Sequence, residues 1–237
     1  MAVSNRPRNH TERDEIAYAL ETYRSSPAAH PTLLAFDSEI FLADCTAYTA
    51  ARASWRKLAG ASKETSEAAS EADRDFDRAF RLFAGTIRDE EGHLAPRVVS
   101  ELLGGMLPSV LTSRPYGEEV QRTQGLLDKL ASRPSLSYGV SRAEALRSSV
   151  EALEAAAKAD LMAERALNEA GQTLTSCIDA FDRSYMKLVR AGKSLLSEAS
   201  FRGVFPQFIR SNAKATAETE ESPAGSTTPA ADAAPVG

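Results

Sequence analysis

The sequence predicts an all-α protein, an elongated up-and-down helical bundle in which two long helices are covered by shorter ones. Three observations carry that expectation. Alanine, the strongest helix former, supplies about one residue in six. Two long stretches, about 32–90 and 141–199, contain no proline. Within the second, a strict 4-3 spacing runs through Leu167, Gly171, Leu174, Ile178, Phe181, Tyr185, Leu188, Gly192 and Leu195. A seam of that kind packs nearly along its neighbours, and its two glycines let another chain segment approach closely.

The elements follow in order. Residues 1–10 are polar, contain Pro7, and are expected to be disordered. Thr11 is a candidate N-cap for a short helix carrying Ile16, Leu20 and Tyr23, which Ser25-Ser26-Pro27 ends. Pro31 suits the first turn of the second helix. Its first half is apolar on more than one face, with Leu34, Phe36, Ile40, Phe41, Cys45, Tyr48 and Trp55. From Gly60 to Asp75 alanine is its only apolar residue, so a break at Gly60 is the alternative to one continuous helix. Phe76, Phe80, Phe83 and Ile87 restore an apolar face.

Glycines and prolines interrupt residues 91–115 and leave room for one short helix, about Arg97–Leu103. A further helix spans about Tyr116–Ala131 and stops at Ser132-Arg133-Pro134. Ser141, with Glu144 three residues on, has the capping-box pattern and opens the second long helix. Phe201–Ile209 is apolar enough to dock on the bundle. Residues 211–237 hold only Val236 as a large apolar residue and read as a disordered acidic tail.

Phe76-Asp77-Arg78-Ala79-Phe80 and Phe181-Asp182-Arg183-Ser184-Tyr185 match at an offset of 105 residues. Near the same offset, Glu15-Ile16 falls on Glu119-Val120. The helical region 11–210 thus reads as a candidate tandem duplication, about 11–90 and 116–199. That arrangement predicts parallel long helices, with Phe76 and Phe181 at one height and Cys45 roughly 40 Å from Cys177.

Charge and motifs bound the function. The net charge is −5, of which the tail, Lys214 against Glu218, Glu220, Glu221 and Asp232, holds −3. A nearly balanced body carries no nucleic-acid footprint. The N-terminus has no apolar signal-peptide core, and the uncharged run Leu102–Ser113 is too short and broken to span a bilayer, so a cytoplasmic location is expected. Cys45 and Cys177 read as small buried hydrophobes.

Gly192-Lys193-Ser194 resembles the end of a phosphate-binding loop, but position 187 is lysine where that loop needs glycine. The single Glu-x-x-His at Glu90–His93 has no second copy, which a di-iron bundle requires. No hydrolase elbow or paired-cysteine motif is present, and the three histidines have no evident partners. The expectation is no catalytic residue, no cofactor and no metal.

One segment is chemically biased. Residues 183–210 carry Arg183, Lys187, Arg190, Lys193, Arg202 and Arg210 against Glu198 alone, interleaved with Tyr185, Met186, Phe201, Phe205 and Phe208. Structurally, cations suit a helix C-terminus and the aromatics suit a core. Functionally, the segment reads as a basic, apolar surface for an acidic partner or an anionic membrane. The leading expectation is a non-catalytic interaction or scaffold protein, with a protein partner or a second copy of itself.

Overall fold

The computed structural model describes residues 2–105, 111, 115–132 and 140–210, so the expected tail at 211–237 lies outside the described residues. The helices are α1 (His10–Arg24), α2 (Pro31–Phe36), α3 (Leu42–Glu91), α4 (Ala95–Leu102), α5 (Tyr116–Ala131), α6 (Val140–Leu195) and α7 (Glu198–Val204). A π-helical turn, Asp37–Phe41, joins α2 to α3. A 3-10 turn, Gly92–Leu94, separates α3 from α4.

The all-α expectation holds, and local chemistry explains most boundaries. Asn9, not Thr11, caps α1: its side chain accepts from the Glu12 N–H at 2.9 Å. Pro31 occupies the first turn of α2, and α3 passes through Gly60 without a break. Gly92 ends the run at φ 58°, a left-handed conformation that glycine adopts without strain. Helix α6 begins at Val140, so Ser141 lies inside it rather than capping it.

The described chain divides into two compact units, one drawn from Met1–Trp55 and Asn168–Gly237, the other from Arg56–Leu167. In the first, Ile16 and Leu20 of α1, Phe41 of the π turn, Tyr48 of α3, Phe181, Tyr185 and Leu188 of α6, and Phe201 and Phe205 share one core. Strand β1 (Ala2–Ser4) pairs antiparallel with β2 (Phe208–Arg210) beside it, Val3 opposite Ile209. Residues 1–10 are therefore not wholly disordered as expected. Three ladder residues on each side tie residues 2–4 to residues 208–210 in this unit.

The long helices are antiparallel here, not parallel. Phe41 meets Tyr185, Tyr48 meets Phe181, and Trp55 lies against Gly171, so partner numbers fall along α6 as they rise along α3. Cys45 and Cys177 belong to this same core and are unbonded. The second unit has the same direction. Thr65 Oγ1 lies 3.2 Å from Asp160 Oδ1, and further along α3 Phe76, Phe80 and Phe83 share a core with Leu146, Val150 and Leu153. The physical reason is length. At 8 and 16 residues, α4 and α5 are too short to carry the chain back to the start of a 50-residue helix. Helix α6 accordingly starts beside the end of α3. Phe76 and Phe181 therefore sit in different cores, Phe76 with Val120 and Leu127 of α5, Phe181 with Ile16 and Leu20 of α1.

Gly192 and Gly171 separate two kinds of close approach. A Cβ on Gly192 would fall 2.7 Å from Phe205 Cζ, and that ring is fully buried and stacked on Phe201 at 4.8 Å. A Cβ on Gly171 would meet nothing nearer than Trp55 Nε1 at 3.8 Å. Gly192→Ala should therefore destabilise by about 1–2 kcal/mol after its gain in helix propensity. Gly171→Ala should stabilise by up to about 1 kcal/mol. Urea unfolding of both variants checks this, and equal effects would show that the Phe205 ring yields freely.

Candidate interaction face

Helix α6 buries one side and exposes the other. Phe181, Ser184, Tyr185, Leu188, Val189 and Gly192 face the core. That phase leaves Arg183, Lys187 and Arg190 exposed at i, i+4 and i+7, one stripe of three cations. None of the three has an ion pair among the described residues, in contrast to their neighbour Asp182. Asp182 accepts twice from Arg13 of α1, from Nε and Nη2, each at 2.8 Å. That pair is largely buried and holds α1 on α6.

The other sequence-predicted cations stand apart. Lys193 is exposed with its ammonium 5.7 Å above the Phe201 ring, a cation–π placement. Arg202 is paired with Glu198 one turn before it in α7. Arg210 lies in β2, and its side chain is outside the described residues. The aromatics expected among these cations point elsewhere: Tyr185, Phe201, Phe205 and Phe208 are all buried. The face is basic but not apolar. Gly192, the glycine of the would-be phosphate loop, is covered by the Phe205 ring inside a continuous helix.

Two internal polar clusters complete the first unit. The Tyr48 hydroxyl lies 3.2 Å from His10 Nδ1 and 3.1 Å from Asp14 Oδ1, and Arg52 Nε donates to Asp14 Oδ2 at 3.2 Å. Burial, then the Asp14 charge, pushes the Tyr48 hydroxyl well above its ordinary range, so it stays a donor. At the π turn, buried Asp37 accepts from Arg24 Nη2 at 2.9 Å. Burial pushes the adjacent Cys45 thiol up, while Arg24 opposes that shift. These clusters fasten α1 to α3 and to the π turn.

The second unit holds a buried acid that the sequence showed only as the repeat match of Glu15. Glu119 of α5 is 1% exposed, and its Oε2 has no hydrogen-bond partner among the described residues. Burial, followed by repulsion from Asp73 and Asp77 of α3, pushes its carboxyl up to about 7. The signal was its phase, since Glu119, Thr123 and Leu127 recur every four residues on the buried face of α5. Among the described residues no group of acidic, histidine or cysteine side chains is arranged to hold a metal ion. No described helix is long and apolar enough to cross a membrane. Comparison with known proteins returns no match to a family model, a curated protein or a solved structure.

Proposed function

We propose that the chain is a non-catalytic helical interaction protein that engages an acidic protein partner through the exposed face of α6. The observation that carries this reading is the stripe Arg183, Lys187 and Arg190, exposed on one side of a rigid helix with no ion pair among the described residues. The helix backbone fixes the spacing of the three cations in one row, and their summed field steers an acidic partner toward them.

The aromatic burial favours a protein over a membrane. A helix that binds in the bilayer interface needs an apolar face turned to the lipid. Tyr185 and Leu188 instead turn inward.

The test is charge reversal, with Arg183, Lys187 and Arg190 all changed to Glu. These positions are exposed, so the fold should survive, as far-UV circular dichroism would show. Binding of an acidic polyglutamate peptide should fall by about tenfold or more, and in the unaltered protein it should weaken as salt rises. Unchanged peptide binding would defeat the proposal. Salt-sensitive binding to phosphatidylserine vesicles, without peptide binding, would transfer the face to a membrane role.

A further inference from the structure

The geometry points to a binding site for a small amphipathic carboxylate, an acyl chain ending in a carboxylate, in the groove where α3 turns into α4. This site lies in the second unit and is independent of the α6 face.

The turn creates the groove. Gly92, at φ 58°, and the 3-10 turn after it swing the chain out of α3, and α4 then comes back with Val99 sharing a core with Phe80. Between the two helices lies a cavity of about 540 Å³, within the size range of small-molecule sites. Its apolar wall is built by Phe80, Ala84, Pro96 and Val99. Its polar side chains are Arg81, Arg88 and His93, and among the described residues no carboxylate lines it. An apolar trough edged by cations and free of acids is complementary to a molecule with an apolar body and an anionic end.

The charges orient that molecule. Arg81 is already engaged by Asp77, which accepts from its Nη2 at 3.1 Å. Arg88 has no ion pair among the described residues, and it lies at the His93 end of the groove. The carboxylate therefore belongs at Arg88, whose planar guanidinium can donate to both oxygens. Arg81 stands two turns earlier, about 10 Å along the axis. Between them on the same helix is Gly85, and a Cβ placed there meets nothing within 4 Å. The acyl chain lies over this bare stretch toward Phe80. A medium-length chain fits that span, and covering the accessible surface of Ala84, Gly85 and Pro96 supplies its apolar contacts.

Gly85 also supplies the decisive variant. Gly85→Leu projects a side chain into open space, so it fills the groove without displacing protein atoms, and leucine is the better helix former. Calorimetric titration of the full chain with decanoate, below its micelle-forming concentration, should show saturable binding of one molecule per chain. Gly85→Leu should abolish it while leaving the melting temperature unchanged or raised. Arg88→Gln should weaken binding by about tenfold. Uncharged 1-decanol should bind at least about tenfold more weakly than decanoate. The charge reversals on α6 should leave decanoate binding intact. Failure of decanoate to bind, binding that survives Gly85→Leu or Arg88→Gln, or equal binding of 1-decanol would each overturn the inference. Should Gly85→Leu fail to fold, Arg88→Gln and the alcohol decide it.

Discussion

Phe181→Ala should lower the unfolding free energy by about 3–5 kcal/mol, the cost of emptying a large buried site that its surroundings refill only in part. Phe181 is fully buried and stands at the centre of an aromatic group. Its ring centroid is 4.9 Å from Phe41 in an edge-on contact, 5.0 Å from Tyr48 and 6.2 Å from Tyr185. Those neighbours come from the π turn, α3 and α6, so the cavity would open between three segments fixed by their own backbones. Trp55, the single tryptophan, packs against this core and reports on it without an added label. Denaturant unfolding followed by tryptophan fluorescence gives the loss directly. Tyr18→Ala on the exposed side of α1 is the control, since Tyr18 is 72% exposed and should cost under about 0.5 kcal/mol. A loss below that control value for Phe181→Ala would mean that the ring does not fill the aromatic centre formed with Phe41 and Tyr48.

Glu119→Gln should stabilise the protein above neutral pH and leave it nearly unchanged in mild acid. In the folded chain the Glu119 carboxyl titrates at about 7, against an ordinary value of 4.5. Between those values the folded protein keeps a proton that the unfolded chain has released. Its stability therefore falls as pH rises through that window and is level on either side of it. Asp73 and Asp77 face Glu119 from α3, and the Asp73 carboxyl is itself pushed up by burial and by Asp77. On its own helix Glu118 lies 3.9 Å from Arg122. Glutamine keeps the shape and removes the charge, so near pH 8 the variant should gain up to about 3 kcal/mol. Thermal melts of both proteins across this range check it. A difference between them that does not change with pH would place the Glu119 charge in water, against its burial.

Much of the fold was legible because its signals are local. Pro31 at the first turn, glycine after Glu91 and the Tyr116–Ala131 helix all follow from short-range rules. The direction of the long helices was not legible in the same way, because periodicity assigns a residue to a face and says nothing about polarity. Chain length carried that information, in the brevity of α4 and α5. The β1–β2 pair escaped because three residues are too few to show alternation, and the π turn because no residue type marks it.

The candidate face shows the same split. Arg183, Lys187 and Arg190 fall on one stripe by spacing alone. The burial of Phe201, Phe205 and Phe208 followed from the apolar density of 201–209, whereas the new helix start at Ser197, which resets the phase, hid which core they join. Glu119 was visible in phase, but its cost depends on Asp73 and Asp77, which lie more than forty residues earlier in the chain.

The division of the chain also sets an order of events during synthesis. The unit at 56–167 is contiguous, so every residue of its core has left the ribosome soon after Leu167 is made. The other unit takes its first aromatic rings from positions before Trp55 and its last from Phe201, Phe205 and Phe208. At about 5–20 residues per second, the roughly forty residues in between take seconds, far longer than helices need to pack. During that interval Ile16, Leu20, Phe41 and Tyr48 wait for Phe181 and Tyr185, and longer still for Phe205, to cover them. The contiguous unit is thus complete while the core residues before Trp55 are still uncovered, and those residues are what a chaperone would meet in that interval.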